Sequence, residues 1–128
     1  MERVVAEAAK HNTIAIITGN TTPTVEAFLE EYGLRKHITT VIGVERKASR
    51  SEKIKIALKE LGRTEESVYL VGDSLSDIRA ARKTGIKNIG VGWGHQSPSR
   101  LITAKPDYLV SSPQELSRLL KNIQGHLN

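Results

Sequence analysis

Residues 68–85, VYLVGDSLSDIRAARKTG, hold a complete strand–turn–helix unit. A short apolar run rich in β-branched residues ends in Gly72 and Asp73. A helical pattern then covers Leu75 to Thr84, and Gly85 stops it. Such a unit cannot bury its apolar surface alone, so it constrains the rest of the chain to supply partners of the same kind. Further apolar runs fall at residues 13–18 (TIAIIT), 39–42, 89–91 and 108–110, and helical patterns alternate with the strands. Strands separated by helices predict a parallel sheet covered on both faces. The expected architecture is one doubly wound, Rossmann-like α/β domain over residues 1–128, with no internal repeat, low-complexity tract or interdomain linker.

The helices carry their own punctuation. Val4, Val5, Ala8 and Ala9 recur at helical spacing before the first strand. Thr22 before Pro23 predicts an N-cap followed by a proline at the first helical position, with Val25, Phe28 and Leu29 turned inward and Gly33 as the stop. Ser49 and Glu52 have the spacing of a capping box ahead of Ile54, Ala57, Leu58 and Leu61, and Gly62 ends that helix. Ser112 and Glu115 repeat the box before a stripe of Leu116, Leu119, Leu120 and Ile123.

Composition narrows the function. The chain has 128 residues and no cysteine, which excludes a disulfide framework, a thiol nucleophile and a thiolate metal site. The N-terminal residues MERVVAEAAK are charged and amphipathic rather than signal-like, and no run is long enough to span a membrane. A soluble, cytoplasmic protein without membrane contact is expected. Lysine and arginine outnumber the acids 19 to 14. Tyr32, Tyr69 and Tyr108 are not interleaved with basic residues as a base-stacking platform requires, so the excess suits an anionic small molecule better than nucleic acid.

Polar residues gather where strands end, the place where parallel α/β sheets bind ligands. Asp73 follows one strand and Asp77 lies on the first turn of the next helix. Two such carboxylates suit Mg²⁺, which binds through one or two carboxylates, waters and substrate phosphate. Helix capping and the helix dipole are the plainer uses of the same two residues. Thr18 ends the first strand before Gly19 and Asn20, and a hydroxyl with adjoining backbone N–H groups there can hold a phosphoryl oxygen.

A strand ending in Thr18, a basic residue at a helix start and the GDxxxD of Asp73 and Asp77 together resemble the second, third and fourth motifs of the haloacid dehalogenase superfamily. Ala80-Ala81, Gly85 and the run IGVGWG resemble its phosphoglycolate-phosphatase-like members. The resemblance implies a Mg²⁺-dependent phosphatase acting on a small phosphorylated metabolite. Thr18, with the backbone of Gly19 and Asn20, would bind the phosphoryl group. Asp73 would ligate Mg²⁺ and Asp77 would help hold it. A cation would clamp the phosphate. Counting back from Asp73 by the family's spacing falls between Lys47 and Arg50, with Lys53 close by. Lys47 and Lys53 are preferred as catalytic candidates, because a guanidinium fork does not replace an ammonium point charge.

One part of the family pattern is missing. The superfamily's nucleophile is an aspartate in a DxDx(T/V) motif on a central first strand, and these 128 residues contain only Asp73, Asp77 and Asp107. The chain alone is therefore expected to be inactive. The resemblance places the absent strand between the runs at 13–18 and 68–71. The gap would be closed by direct pairing, by a complementing chain or second copy at the open sheet edges, or by a preceding segment of a longer protein, which is the expectation preferred here. The alternative function is a non-catalytic binding or assembly module that keeps the phosphate and Mg²⁺ pocket. His11, His37, His95 and His126 are dispersed, with no metal-ligand spacing. Trp93 and His95 share a glycine-rich loop after a strand, where either residue can border the site or simply cover the sheet end.

Overall fold

The computed structural model describes residues 2–10, 12–93 and 96–127. His11 and His95 lie outside the described residues, as does the side chain of His126. The chain divides into two compact units, Met1–Thr64 and Glu65–Asn128.

The first unit contains α1 (Glu2–Ala9), β1 (Ala15–Ile17), α2 (Thr22–Glu31), β2 (Thr40–Ile42) and α3 (Arg50–Leu61), with a 3₁₀ turn at Arg35–His37. β1 and β2 pair in parallel, Ala15 opposite Thr40 and Ile17 opposite Ile42. α3 packs on both strands and α2 on β2. Leu29, Leu34, Ile38 and Val41 form the core here, with Val5, Ile14, Ile16 and Val25 against them. Phe28 departs from expectation: it is 51% exposed and lies against Tyr32, ring centroids 4.6 Å apart. The α2 cap falls one residue earlier than the proline suggests. Thr21 is the N-cap, accepting the Thr24 N–H at 3.4 Å, and Thr22 already belongs to the helix. Gly33 takes a positive φ of 68° just after α2.

The second unit contains β3 (Tyr69–Gly72), α4 (Leu75–Thr84), β4 (Lys87–Val91), α5 (Pro98–Leu101), β5 (Tyr108–Val110) and α6 (Pro113–Leu127), with 3₁₀ turns at Glu65–Ser67 and Ile102–Ala104. Its sheet runs β3-β4-β5, all parallel, with Val71 opposite Ile89 and Ile89 opposite Tyr108. α4 packs on β3 and β4, α5 on β4 and β5, and α6 on β5. Ile78, Leu101 and Ala104 form a buried cluster joined by Leu75 and Leu109. At the start of β5, Asn88 and Asp107 exchange backbone-to-side-chain bonds: the Asn88 N–H reaches Asp107 Oδ2 at 2.9 Å, and the Asp107 N–H reaches Asn88 Oδ1 at 3.1 Å. This clip fixes the β4–β5 register at the end away from the strand carboxyl termini.

The α/β class with parallel sheets flanked by helices is thus present. In the first unit the segment after β1 carries Thr18, and in the second the segment after β3 carries Asp73.

Candidate active site

In the first unit, the backbone leaves β1 under tight control. The Thr18 N–H donates to the Ile42 carbonyl at 3.0 Å, extending the β1–β2 ladder by one step. The Thr18 hydroxyl oxygen accepts the Asn20 N–H at 3.0 Å, which orients the threonine side chain. Facing it is the start of α3. Ser49 accepts the Glu52 N–H at 3.2 Å while the Glu52 carboxylate accepts the Ser49 N–H at 3.3 Å, so the capping box is complete. The box fixes the helix phase. Arg50 becomes the first helical residue and Lys53 the fourth, three apart and therefore on one face.

Thr18, Gly19, Arg50 and Lys53 line a cavity of about 150 Å³ together with Ile17 and Ala48. Lys53 is only 8% exposed. Burying an ammonium is unfavourable unless negative charge compensates it, and a cavity lined by Lys53 and Arg50 is suited to an anion. Lys47 is exposed in the preceding loop and is not among the lining residues, nor is Asn20. The structure thus brings one preferred lysine to Thr18 and sets beside it Arg50, which fits the spacing but is placed behind the lysines for its guanidinium chemistry.

In the second unit, Ser74 caps α4, its hydroxyl accepting the Asp77 N–H at 3.2 Å. The Asp77 carboxylate turns back to accept the Asp73 N–H at 3.3 Å through Oδ2. Gly72 makes this fold-back possible, since a Cβ there would lie 2.5 Å from Asp77 Cβ and 2.8 Å from its Oδ2. Gln96 grips the same turn from the loop after β4: its N–H donates to the Asp73 carbonyl at 3.1 Å, and its side-chain oxygen accepts the Leu75 N–H at 2.6 Å. Asp73 and Asp77 are both half-buried and share one turn. Among the described residues no group of three or more histidine or carboxylate side chains gathers as a metal site. Two hard carboxylates, with remaining positions left to water and phosphate, still fit Mg²⁺. Gln96 carries no sequence signal beyond its place in a strand-end loop.

These features define a class: a parallel α/β protein whose polar groups collect just after its strands, with a cavity lined by two cationic residues in one unit and a paired-carboxylate turn in the other. Comparison makes the class specific. Residues 1–91 match the family model described as haloacid dehalogenase-like hydrolase, and the chain belongs to that family. Among curated relatives it is 30% identical over 107 residues to the phosphoglycolate phosphatase of Salmonella paratyphi A, covering 81% of this chain and 42% of that protein. It is 30% identical over 103 residues to the phosphoglycolate phosphatase of Synechococcus elongatus, covering 80% of this chain and 49% of that one. The chain therefore spans less than half the length of these relatives. Solved structures share its fold. A haloacid dehalogenase-like family hydrolase from Streptococcus pneumoniae superposes with a TM-score of 0.80 at 21% identity, over 91% of this chain and 56% of that one. A hydrolase of the same superfamily from Ehrlichia chaffeensis gives 0.78 at 16% identity, over 95% and 56%.

Proposed function

We propose that these 128 residues are the phosphate-clamping and metal-holding part of a Mg²⁺-dependent phosphatase that hydrolyses a small phosphorylated metabolite in the cytoplasm. The observation that carries this is the cavity lined by Thr18, Arg50 and the nearly buried Lys53. The phosphoglycolate phosphatases among the relatives support a small phosphate monoester as the substrate class.

The roles follow from chemistry. The Thr18 hydroxyl and the Gly19 amide would donate to phosphoryl oxygens. Lys53 and Arg50 would balance the charge that spreads over those oxygens as the ester bond breaks. Asp73 and Asp77 would hold Mg²⁺, which supplies further charge neutralisation at phosphate when bound. A carboxylate nucleophile is needed as well, and none of the three aspartates in the chain lies in a DxD pair. We assign the nucleophile to polypeptide outside these residues, either a longer form of this protein or a complementing chain at a sheet edge.

The test is hydrolysis of p-nitrophenyl phosphate with Mg²⁺, by the 128-residue chain and by the protein in its complete reading frame. Turnover only in the longer form supports the proposal. Silence in both, with Mg²⁺ still bound, indicates a binding module instead. Turnover by the 128-residue chain overturns the assignment of the nucleophile.

A further inference from the structure

Two loops meet beside Thr18, and one carboxylate ties them together. The loop after β1 and the loop after β2 run side by side: the Thr18 N–H donates to the Ile42 carbonyl at 3.0 Å, and the Val44 N–H donates to the Asn20 carbonyl at 2.9 Å. One residue beyond, Glu45 reaches across. Its Oε1 and Oε2 accept the Thr22 N–H at 3.1 and 3.0 Å, and Oε1 also accepts the Thr22 hydroxyl. Thr22 opens α2, so its N–H is one of the donors a helix start leaves without an internal partner. A carboxylate there is further favoured by the positive end of the helix dipole.

The crossing leaves no room for a side chain on Gly43. A Cβ there would lie 2.7 Å from the Thr22 nitrogen and 2.6 Å from its hydroxyl oxygen. The Thr22 hydroxyl and N–H do most to hold the Glu45 carboxyl below the usual glutamate range, and the charge of Lys53 on α3 adds to it. Glu45 does not line the cavity. It acts on Thr22, and through residues 19–21 on the turn that presents Thr18.

We infer that Glu45 is a positioning residue: by clamping the start of α2 to the loop after β2, it holds the Thr18–Asn20 turn in the conformation that receives phosphate. This rests on the reading of Thr18 as the phosphoryl-binding residue. It separates Glu45 from the cations of the cavity, because its effect is on backbone geometry and its charge is opposite to theirs.

The experiment is an inorganic phosphate titration of the 128-residue protein, followed at the Gly19 and Asn20 amides by NMR, with thermal unfolding measured alongside. Glu45→Ala should weaken phosphate binding at least fivefold and shift the Asn20 and Val44 amides before any ligand is added. Glu45→Gln keeps an acceptor for the Thr22 N–H and should recover most of the affinity, a rescue that simple removal of a negative charge beside Lys53 would not give. Thr22→Ala, which deletes only the hydroxyl contact, should fall between the two. Unaltered or tighter phosphate binding in Glu45→Ala, with the wild type responding normally, overturns the role of Glu45 alone. No response at Gly19 and Asn20 in the wild type overturns the reading of Thr18, and the positioning role with it.

Discussion

Lys53 and Lys47 have the same chemistry and lie six positions apart, yet the fold treats them differently. Lys53 is held on the inward face of α3 by the Ser49–Glu52 box and is nearly buried at the cavity, whereas Lys47 extends into solvent from the loop. A charge-assisted bond to an anion contributes about 1.5–3 kcal/mol, roughly a ten- to hundredfold change in affinity. Lys53→Met should therefore weaken inorganic phosphate binding by about that factor, and Lys47→Met should leave it within about twofold. Isothermal titration of the two variants checks this, and equal losses would return the clamp to the loop. The distinction is partly legible in the amino-acid sequence. A capping box fixes which residues of the first turn share a face, and Arg50 and Lys53 are three apart on it. Spacing counted back from Asp73 lacks this information, because a loop stretches or tightens by a residue without changing what it connects. Gln96 and Glu45 are not legible in this way. Each works through backbone groups far along the chain, and no local pattern announces such a bond.

At the scale of elements, most boundaries follow from caps and stops. α4 runs from Leu75 to Thr84 as its pattern predicts, and Gly62 and Gly85 take the left-handed conformation that ends α3 and α4. Thr21 and not Thr22 caps α2, and Glu45, from the loop after β2, accepts the Thr22 N–H that the helix start leaves without an internal partner. What ties elements to one another is less readable. Glu60, near the end of α3, accepts the Thr40 hydroxyl from β2 and pairs with Arg46 at 3.2 Å. The Thr40 bond is the largest influence holding its carboxyl below the ordinary glutamate range, with Arg46 adding to it. A carboxyl whose pKa is depressed by folding adds stability above its unfolded pKa, and that stability is lost as pH falls through the depressed value. Glu60→Gln should thus lower the urea midpoint near neutral pH and show a shallower acid limb, the two curves converging once Glu60 is protonated in the folded protein. The surface setting keeps the effect small. A constant offset at every pH would show that the tie depends on shape and not on charge.

For the molecule as a whole, the consequential fact is that the cavity lined by Thr18, Arg50 and Lys53 belongs to one unit and the carboxylate turn to the other. Hydrolysis of a phosphate ester by the proposed route assigns both to the same phosphate, and thermodynamic linkage tests that assignment without reference to the geometry of either unit. If phosphate bound through Thr18 and Lys53 also meets Mg²⁺ held by Asp73 and Asp77, each ligand must raise the affinity of the other by the same factor. Couplings of this kind commonly amount to about 1–3 kcal/mol, or roughly 5- to 150-fold. Mg²⁺ titrations of the protein in its complete reading frame, with and without saturating inorganic phosphate, should show tightening of at least about fivefold. The reciprocal phosphate titration should return the same ratio. Asp73→Asn should abolish the coupling and leave the phosphate response at Gly19 in place, since the cavity keeps all its lining residues. Equal Mg²⁺ affinities in the presence and absence of phosphate would mean that the two units bind their ligands independently. A chain of that kind can store or sense an anion and a metal, but it lacks the shared charge neutralisation that phosphoryl transfer requires.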